Sequence, residues 1–264
     1  MARIIAITNQ KGGVGKTTTS INLSASLAAA DCRVLVVDCD PQANSTGGLG
    51  FPHNPERIGV YEVLVDRIPM ESTIIKTEFD GLDLLPSGRH LAGANVELAT
   101  EVDRIDRLTM AFDAIRERYD FIFIDCPPAL DLLTLNALVA ADSVLIPIQC
   151  EYFALEGISA LMETIDQLRR EGLNPSIQIE GVLLTMFDDR TTLTKQVASD
   201  LRDFFGDAVF QTVIPRNIRL AEAPSHGKPV LQYDLRSKGA ESYLELAREV
   251  LDRQEGHSRG HTAQ

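Results

Sequence analysis

Lys11-Gly12-Gly13-Val14-Gly15-Lys16 sets three glycines between two lysines, and the hydroxyl residues Thr17 and Thr18 follow at once. Small residues let backbone N–H groups close around a polyphosphate, and a helix that starts at the end of the loop adds partial positive charge. In such a loop Lys16 pairs with the β- and γ-phosphates of a nucleotide, and the Thr17 hydroxyl ligates Mg²⁺. The spacing departs from the usual loop. The glycine expected five residues before Gly15 is Gln10, and a second lysine, Lys11, stands at the entrance.

Two acidic strand ends belong to the same chemistry. Val37-Asp38-Cys39-Asp40-Pro41 closes one apolar run, and Phe121-Ile122-Phe123-Ile124-Asp125 closes another. In extended geometry Asp38 and Asp40 point the same way, toward the phosphates. A carboxylate there orients an attacking water or holds a water on Mg²⁺; the same pair also reads as turn or cap aspartates. Asp125 resembles the Walker B aspartate, which contacts Mg²⁺, often through water. Near the other end, Ile214-Pro215-Arg216-Asn217 follows a further apolar run. Pro215 and Asn217 there could meet a purine, by packing and by amide hydrogen bonds, or form an ordinary turn with Asn217 as N-cap.

Such residues need a scaffold that brings strand ends together. Apolar runs and helix-period segments alternate along the chain, the pattern of an α/β, doubly wound, mostly parallel sheet with helices on both faces. Strands are expected at 3–9, 33–38, 82–85, 121–124, 143–149, 180–186 and 209–214. Helices are expected at 17–30, 60–66, 105–118, 130–141, 155–170, 194–205, 218–223 and 239–253. Residues 40–58, rich in Pro, Asn, Gly and Ser, read as a long functional loop. Residues 1–254 read as a single domain and 255–264 as a polar, disordered tail.

Composition narrows the function. With 264 residues and 44% hydrophobic content, the chain buries a sizeable core. It holds no apolar run of membrane-spanning length and no signal peptide, so a cytoplasmic protein without a stable membrane anchor is expected. The four cysteines, Cys32, Cys39, Cys126 and Cys150, include no C-x-x-C pair. They read as reduced, mostly buried thiols. A formal net charge of −13 argues against a surface that binds nucleic acid everywhere. Residues 208–240, however, carry five basic and two acidic side chains, a local net of +3.

Together these segments resemble the ParA/Soj-type partition ATPases, a deviant-Walker-A branch of the P-loop NTPases. The resemblance runs from Q-K-G-G-V-G-K-T-T-T (10–19) through V-D-C-D-P-Q (37–42), F-I-D-C-P-P (123–128) and E-Y-F-A-L-E-G (151–157). It continues through T-M-F-D-D-R-T (185–191) to I-P-R-N-I-R-L-A-E-A-P-S-H-G-K-P (214–229). Without an N-terminal helix-turn-helix extension, the chain is similar to the short chromosomal members.

The resemblance implies ATP and Mg²⁺ in the loop and a homodimer in the ATP state, closed face to face over two nucleotides. Lys11 would reach the partner subunit's phosphates, Asp40 would position the hydrolytic water, and Asp38 and Asp125 would support Mg²⁺. It implies slow ATP hydrolysis stimulated by a ParB-type centromere-binding protein, and nucleoid association through non-specific double-stranded DNA. Arg190 and Arg219 match the family's DNA-contacting arginines, with Arg216, Lys195 and Lys228 as weaker matches; each also reads as a solvated surface charge. A MinD-like, membrane-associated division regulator is the alternative. It expects a basic amphipathic C-terminal helix, and residues 255–264 carry no apolar face. An iron–sulfur ATPase needs two suitably placed cysteines per chain, and Cys126 has no evident companion in the segment after it.

Overall fold

A computed structural model of the chain describes residues 1–151 and 154–261, without the side chains of 154–157 and 255–261. In chain order the first half holds β1 (Arg3–Ile7), α1 (Lys16–Ala28), β2 (Val34–Asp38), α2 (Asn44–Gly48), α3 (Val60–Leu64), β3 (Ile75–Lys76), β4 (Leu82–Leu85), α4 (Leu91–Glu97) and α5 (Arg107–Phe112). The second half holds β5 (Phe121–Asp125), α6 (Leu132–Ala140), β6 (Ser143–Gln149), α7 (Ala154–Arg170), β7 (Gln178–Thr185), α8 (Thr192–Phe205), α9 (Ile218–Glu222), α10 (Val230–Tyr233) and α11 (Lys238–His261).

The seven strands form one sheet in the order β3-β4-β2-β5-β1-β6-β7, parallel except for the β3–β4 pair. The central strands β1, β2 and β5 are nearly continuous apolar runs because both of their faces are covered. Alternate residues divide cleanly between two cores. Ile4, Ala6, Leu35, Val37, Ile122 and Ile124 pack with residues of α3 to α8. Their neighbours Ile5, Ile7, Val34, Val36, Phe121 and Phe123 pack with α1, α9, α10 and α11. This is the doubly wound arrangement expected, and it directs the parallel strands' C-terminal ends to one edge, where ligands bind in such sheets.

Register places the acidic strand ends side by side. Asp125 is paired with Ile7 of β1 on one side and with Asp38 of β2 on the other. The loop that follows β1 therefore lies beside the carboxylate that ends β5.

The structure corrects four expectations. Residues 209–214 are not a regular strand. They touch β7 through one isolated bridge, Val209 to Val182, and Phe210 N–H reaches the Val182 carbonyl at 2.9 Å while Ile214 N–H reaches the Leu184 carbonyl at 2.8 Å. Four residues thus span what two cover on β7. The extra length bulges because the Gln211 and Thr212 N–H groups turn to the Glu249 carboxylate, at 2.8 and 2.9 Å. Within the expected loop 40–58 lies the short helix α2, and the helix expected at 105–118 is only Arg107–Phe112. The last helix runs on to His261, past the expected end at 253, although its side chains beyond Gln254 lie outside the described residues. Among the described residues no helix is long and apolar enough to cross a membrane.

Candidate active site

The loop from Asn9 to Gly15 turns tightly where its glycines allow. Gly13 and Gly15 have φ of +77° and +92°, a region that side chains with a Cβ rarely adopt. Gly15 is the N-cap of α1, and no side chain caps that helix. Its first N–H groups are thereby left for a ligand, with the helix dipole behind them.

Three braces hold the loop, none of them read from the sequence. The Asn9 side chain donates to the Pro147 carbonyl at the end of β6 (2.8 Å) and accepts from Lys11 N–H (3.0 Å). The Thr185 hydroxyl, at the end of β7, donates to the Val14 carbonyl at 2.7 Å. Asn22 in α1 donates to the Thr18 carbonyl and accepts from Val230 N–H, tying the helix to α10. No motif marks Asn9, and Thr185 opens the 185–191 segment without being given this role there; both stand at strand ends beside the loop.

Gly12, Gly13, Gly15, Lys16, Thr17 and Thr18 form one wall of a cavity of about 500 Å³, within the ~300–1,000 Å³ typical of small-molecule sites. Asp40 and Gln42 line it from the β2 end, and Pro215, Arg216, Asn217 and Leu220 form the opposite wall. Tyr243 closes it from α11, where its hydroxyl meets the Thr19 hydroxyl at 3.1 Å. Asn217 is both N-cap and lining: its Oδ1 accepts from Arg219 N–H at 2.9 Å, which leaves its amide N–H donors for a ligand. Arg216, read above as a DNA candidate, lines this cavity as well.

Lys16 is 7% exposed, and its Nζ donates to the Lys11 carbonyl at 3.1 Å. Burial lowers its pKa, while the charges of Asp125 and Asp40 oppose the shift. The two acids behind it lie deeper. Asp125 is fully buried, and burial raises its pKa, with Asp40 adding to the shift and Ser45, Thr17 and Lys16 opposing it. Ser45 donates to its Oδ2 at 2.7 Å, while Oδ1 has no hydrogen-bond partner. A buried carboxylate oxygen left unpaired beside a threonine hydroxyl and a lysine is costly in isolation and fits a cation. The residues present therefore suit Mg²⁺.

Asp38 departs from its expected orientation. The chain turns back after β2, so Asp40 lines the cavity while Asp38 does not. Its Oδ1 accepts from Asp40 N–H at 3.3 Å, and its Oδ2 accepts from both the N–H and the hydroxyl of Thr46 at 2.7 Å. Burial, and then the Asp125 charge, raises its pKa.

A family model described as an AAA domain matches residues 2–179. The sporulation initiation inhibitor protein Soj of Bacillus subtilis is 55% identical over 250 residues, 95% of this chain and 98% of its own length. The chromosome partitioning protein ParA of Caulobacter vibrioides is 52% identical over 254 residues, covering 96% and 95%. This chain belongs to the ParA/Soj family of chromosome-partitioning ATPases. Among solved structures, cobyrinic acid a,c-diamide synthase of Mycobacterium smegmatis, with bound ATP analogue and magnesium, superposes with a TM-score of 0.85 at 35% identity, covering 97% of this chain and 96% of that one.

The remaining ParA-type positions lie outside the cavity. Lys11 is not among its lining residues; its Nζ is paired with Glu151 Oε2 at 2.6 Å. Glu151 opens the segment 151–157, of which Tyr152 and Phe153 lie outside the described residues. Arg190 precedes α8, its side chain 85% exposed and doubly bonded to Asp188. Arg219 lies on α9, paired with Glu222 at 2.8 Å and Asp234 at 3.2 Å. Lys195 is exposed on α8, and Lys228 is half-buried just before α10. Of the thiols, Cys39, Cys126 and Cys150 are buried and Cys32 partly so; burial pushes their pKa values up. No group of three or more His, Cys, Asp or Glu among the described residues is arranged to hold a metal ion.

Proposed function

We propose that this chain is a DNA-partition ATPase whose ATP-bound homodimer holds double-stranded DNA without sequence preference and lets go after hydrolysis stimulated by a ParB-type protein. The observation that carries the reading is the division of labour between the loop's two lysines. Lys16 lines the cavity, whereas Lys11 is not among its lining residues and pairs with Glu151. A cation so placed suits phosphates other than those of its own loop.

Within one subunit, Lys16 and the N–H groups from Gly12 to Thr18 bind the β- and γ-phosphates of ATP. Pro215 packs on the purine and the free Asn217 amide donors meet its acceptors, with Arg216 at the same wall. Thr17, and Asp125 through water, would hold Mg²⁺, which would supply charge neutralisation at the phosphates. Asp40 orients the attacking water. Asp38 acts at one remove, by holding the segment that carries Asp40. In the dimer, Lys11 leaves Glu151 for the partner's phosphates, so assembly depends on ATP.

Arg190 and Arg219 are the proposed DNA contacts, with Lys195 and Lys228 beside them. Their ion pairs are exposed and weak enough for backbone phosphates to replace. Pairing two subunits doubles a small basic patch on an acidic body and confines the protein to the nucleoid in its ATP state. The test is retention of random-sequence duplex DNA with ATP, ADP or no nucleotide across a salt series. Retention with ATP that falls as salt rises is expected; equal retention in all three states would overturn the reading.

A further inference from the structure

Behind the cavity, hydrogen bonds close a ring that begins and ends at Asp40. Asp40 N–H donates to Asp38 Oδ1 at 3.3 Å. Asp38 Oδ2 accepts from Thr46 N–H and Oγ1, both at 2.7 Å. Thr46 Oγ1 in turn accepts from Ser87 N–H at 2.9 Å. The Ser87 hydroxyl then donates to the Asp40 carbonyl at 2.8 Å. Asp38 and Thr46 are no more than 1% exposed, and Asp40 and Ser87 are 8% exposed. Water therefore has little access to replace these bonds, and a fully satisfied buried ring specifies one geometry.

Ser87 stands apart from Asp40 in sequence but touches it in space. It follows β4 and Pro86, whose carbonyl accepts from Val60 N–H at 2.9 Å, so its backbone is anchored to the α3 side of the molecule. It is not among the residues lining the cavity. Its hydroxyl reaches across 47 residues to grip the peptide that carries the Asp40 side chain. That peptide is otherwise free to swing only within the short turn made by Ala43 N–H on the Asp40 carbonyl and Gln42 N–H on Oδ1.

We propose that Ser87 is a positioning residue for ATP hydrolysis: through the Asp40 carbonyl, and through Thr46 to Asp38, it fixes the carboxylate that orients the attacking water. The proposal rests on the water-orienting role given to Asp40 above. A displaced general base loses rate while the nucleotide's own contacts, made by the loop around Lys16, stay intact.

The experiment compares wild type, Ser87→Ala, Ser87→Thr, Thr46→Val and Asp40→Ala. It measures kcat and KM for ATP, affinity for a fluorescent ATP analogue, and thermal unfolding. Ser87→Ala should lower kcat on the order of 10- to 100-fold, with nucleotide affinity and KM unchanged within about twofold. Ser87→Thr, which keeps the hydroxyl, should recover most of the rate. Thr46→Val opens the ring at a second point and should reproduce the split, which serves if Ser87→Ala folds poorly. Wild-type kcat in Ser87→Ala beside an impaired Asp40→Ala would overturn the ring's role and leave Asp40's standing. Parallel losses of affinity, KM and melting temperature would also overturn it, as a merely structural bond would give them. Wild-type hydrolysis by Asp40→Ala would instead remove the water-orienting reading, and this proposal with it.

Discussion

Lys11 Nζ lies 2.6 Å from Glu151 Oε2, joining the entrance of the phosphate loop to the segment after β6. Both side chains are partly exposed, so the pair is held by proximity and can exchange partners with solvent or another anion. A phosphate from a second subunit carries more charge than one carboxylate and would compete well for Lys11.

Lys11→Ala should therefore leave ATP binding within about threefold of wild type, since Lys11 is absent from the cavity walls, and should remove ATP-dependent dimerisation. Sedimentation velocity with ATP and with ADP checks this. A variant that still dimerised only with ATP would refute the cross-subunit role.

Lys16→Ala should fail to bind nucleotide, with affinity falling at least 100-fold. It removes a buried, charge-assisted donor worth about 1.5–3 kcal/mol per bond and leaves the phosphates facing Asp40 and Asp125. Equilibrium titration with a fluorescent nucleotide reads the loss, and a melt confirms that the fold persists.

Arg219→Glu should keep ATP-dependent dimerisation and lose DNA retention. Arg219 already faces Glu222 and Asp234, so the new carboxylate would make a cluster of three acids there. Milder substitution to Ala should lower the slope of log affinity against log salt by about 1 for each DNA phosphate that Arg219 neutralises. Unchanged retention at low salt would take Arg219 out of the DNA surface.

Glu249 supplies a pH signature. Burial pushes its pKa up, but the N–H groups of Thr212 and Gln211 and the Arg253 charge outweigh that, and the result lies below the ordinary 4.5. A depressed folded-state pKa means stability that is present above the unfolded value and lost as pH falls through the folded one. The melting-temperature advantage of wild type over Glu249→Gln should shrink on acidification from about pH 6 to about pH 3. A constant difference would show that the ionised form of Glu249 does not matter to the bulge at 209–214.

How far the sequence speaks for the site differs residue by residue. The placement of Lys16, Thr17 and Asp40 at one cavity is legible because a glycine-rich turn and an acidic strand end are local signals. The central strands were legible because burial on both faces leaves continuous apolar runs such as Phe121-Ile122-Phe123-Ile124. Asp38 was misread because alternation along a strand assumes that the strand goes on, and the chain turns instead. Helix α2 was hidden in N-S-T-G-G, a poor helix former by propensity. Tertiary bonds from Ser45 to Asp125 and from Thr46 to Asp38 hold it in place. Glu249 bends the 209–214 segment from the last helix, a distance that no local pattern reveals.

The cavity's walls come from opposite ends of the chain: residues 12–18 on one side, 215–220 on the other, and Tyr243 of α11 closing it. The loop lies early in the chain, but the cavity it lines is complete only once residues 215–220 have folded and α11 has packed on α1. A truncated or half-folded chain would thus be silent rather than wrongly active.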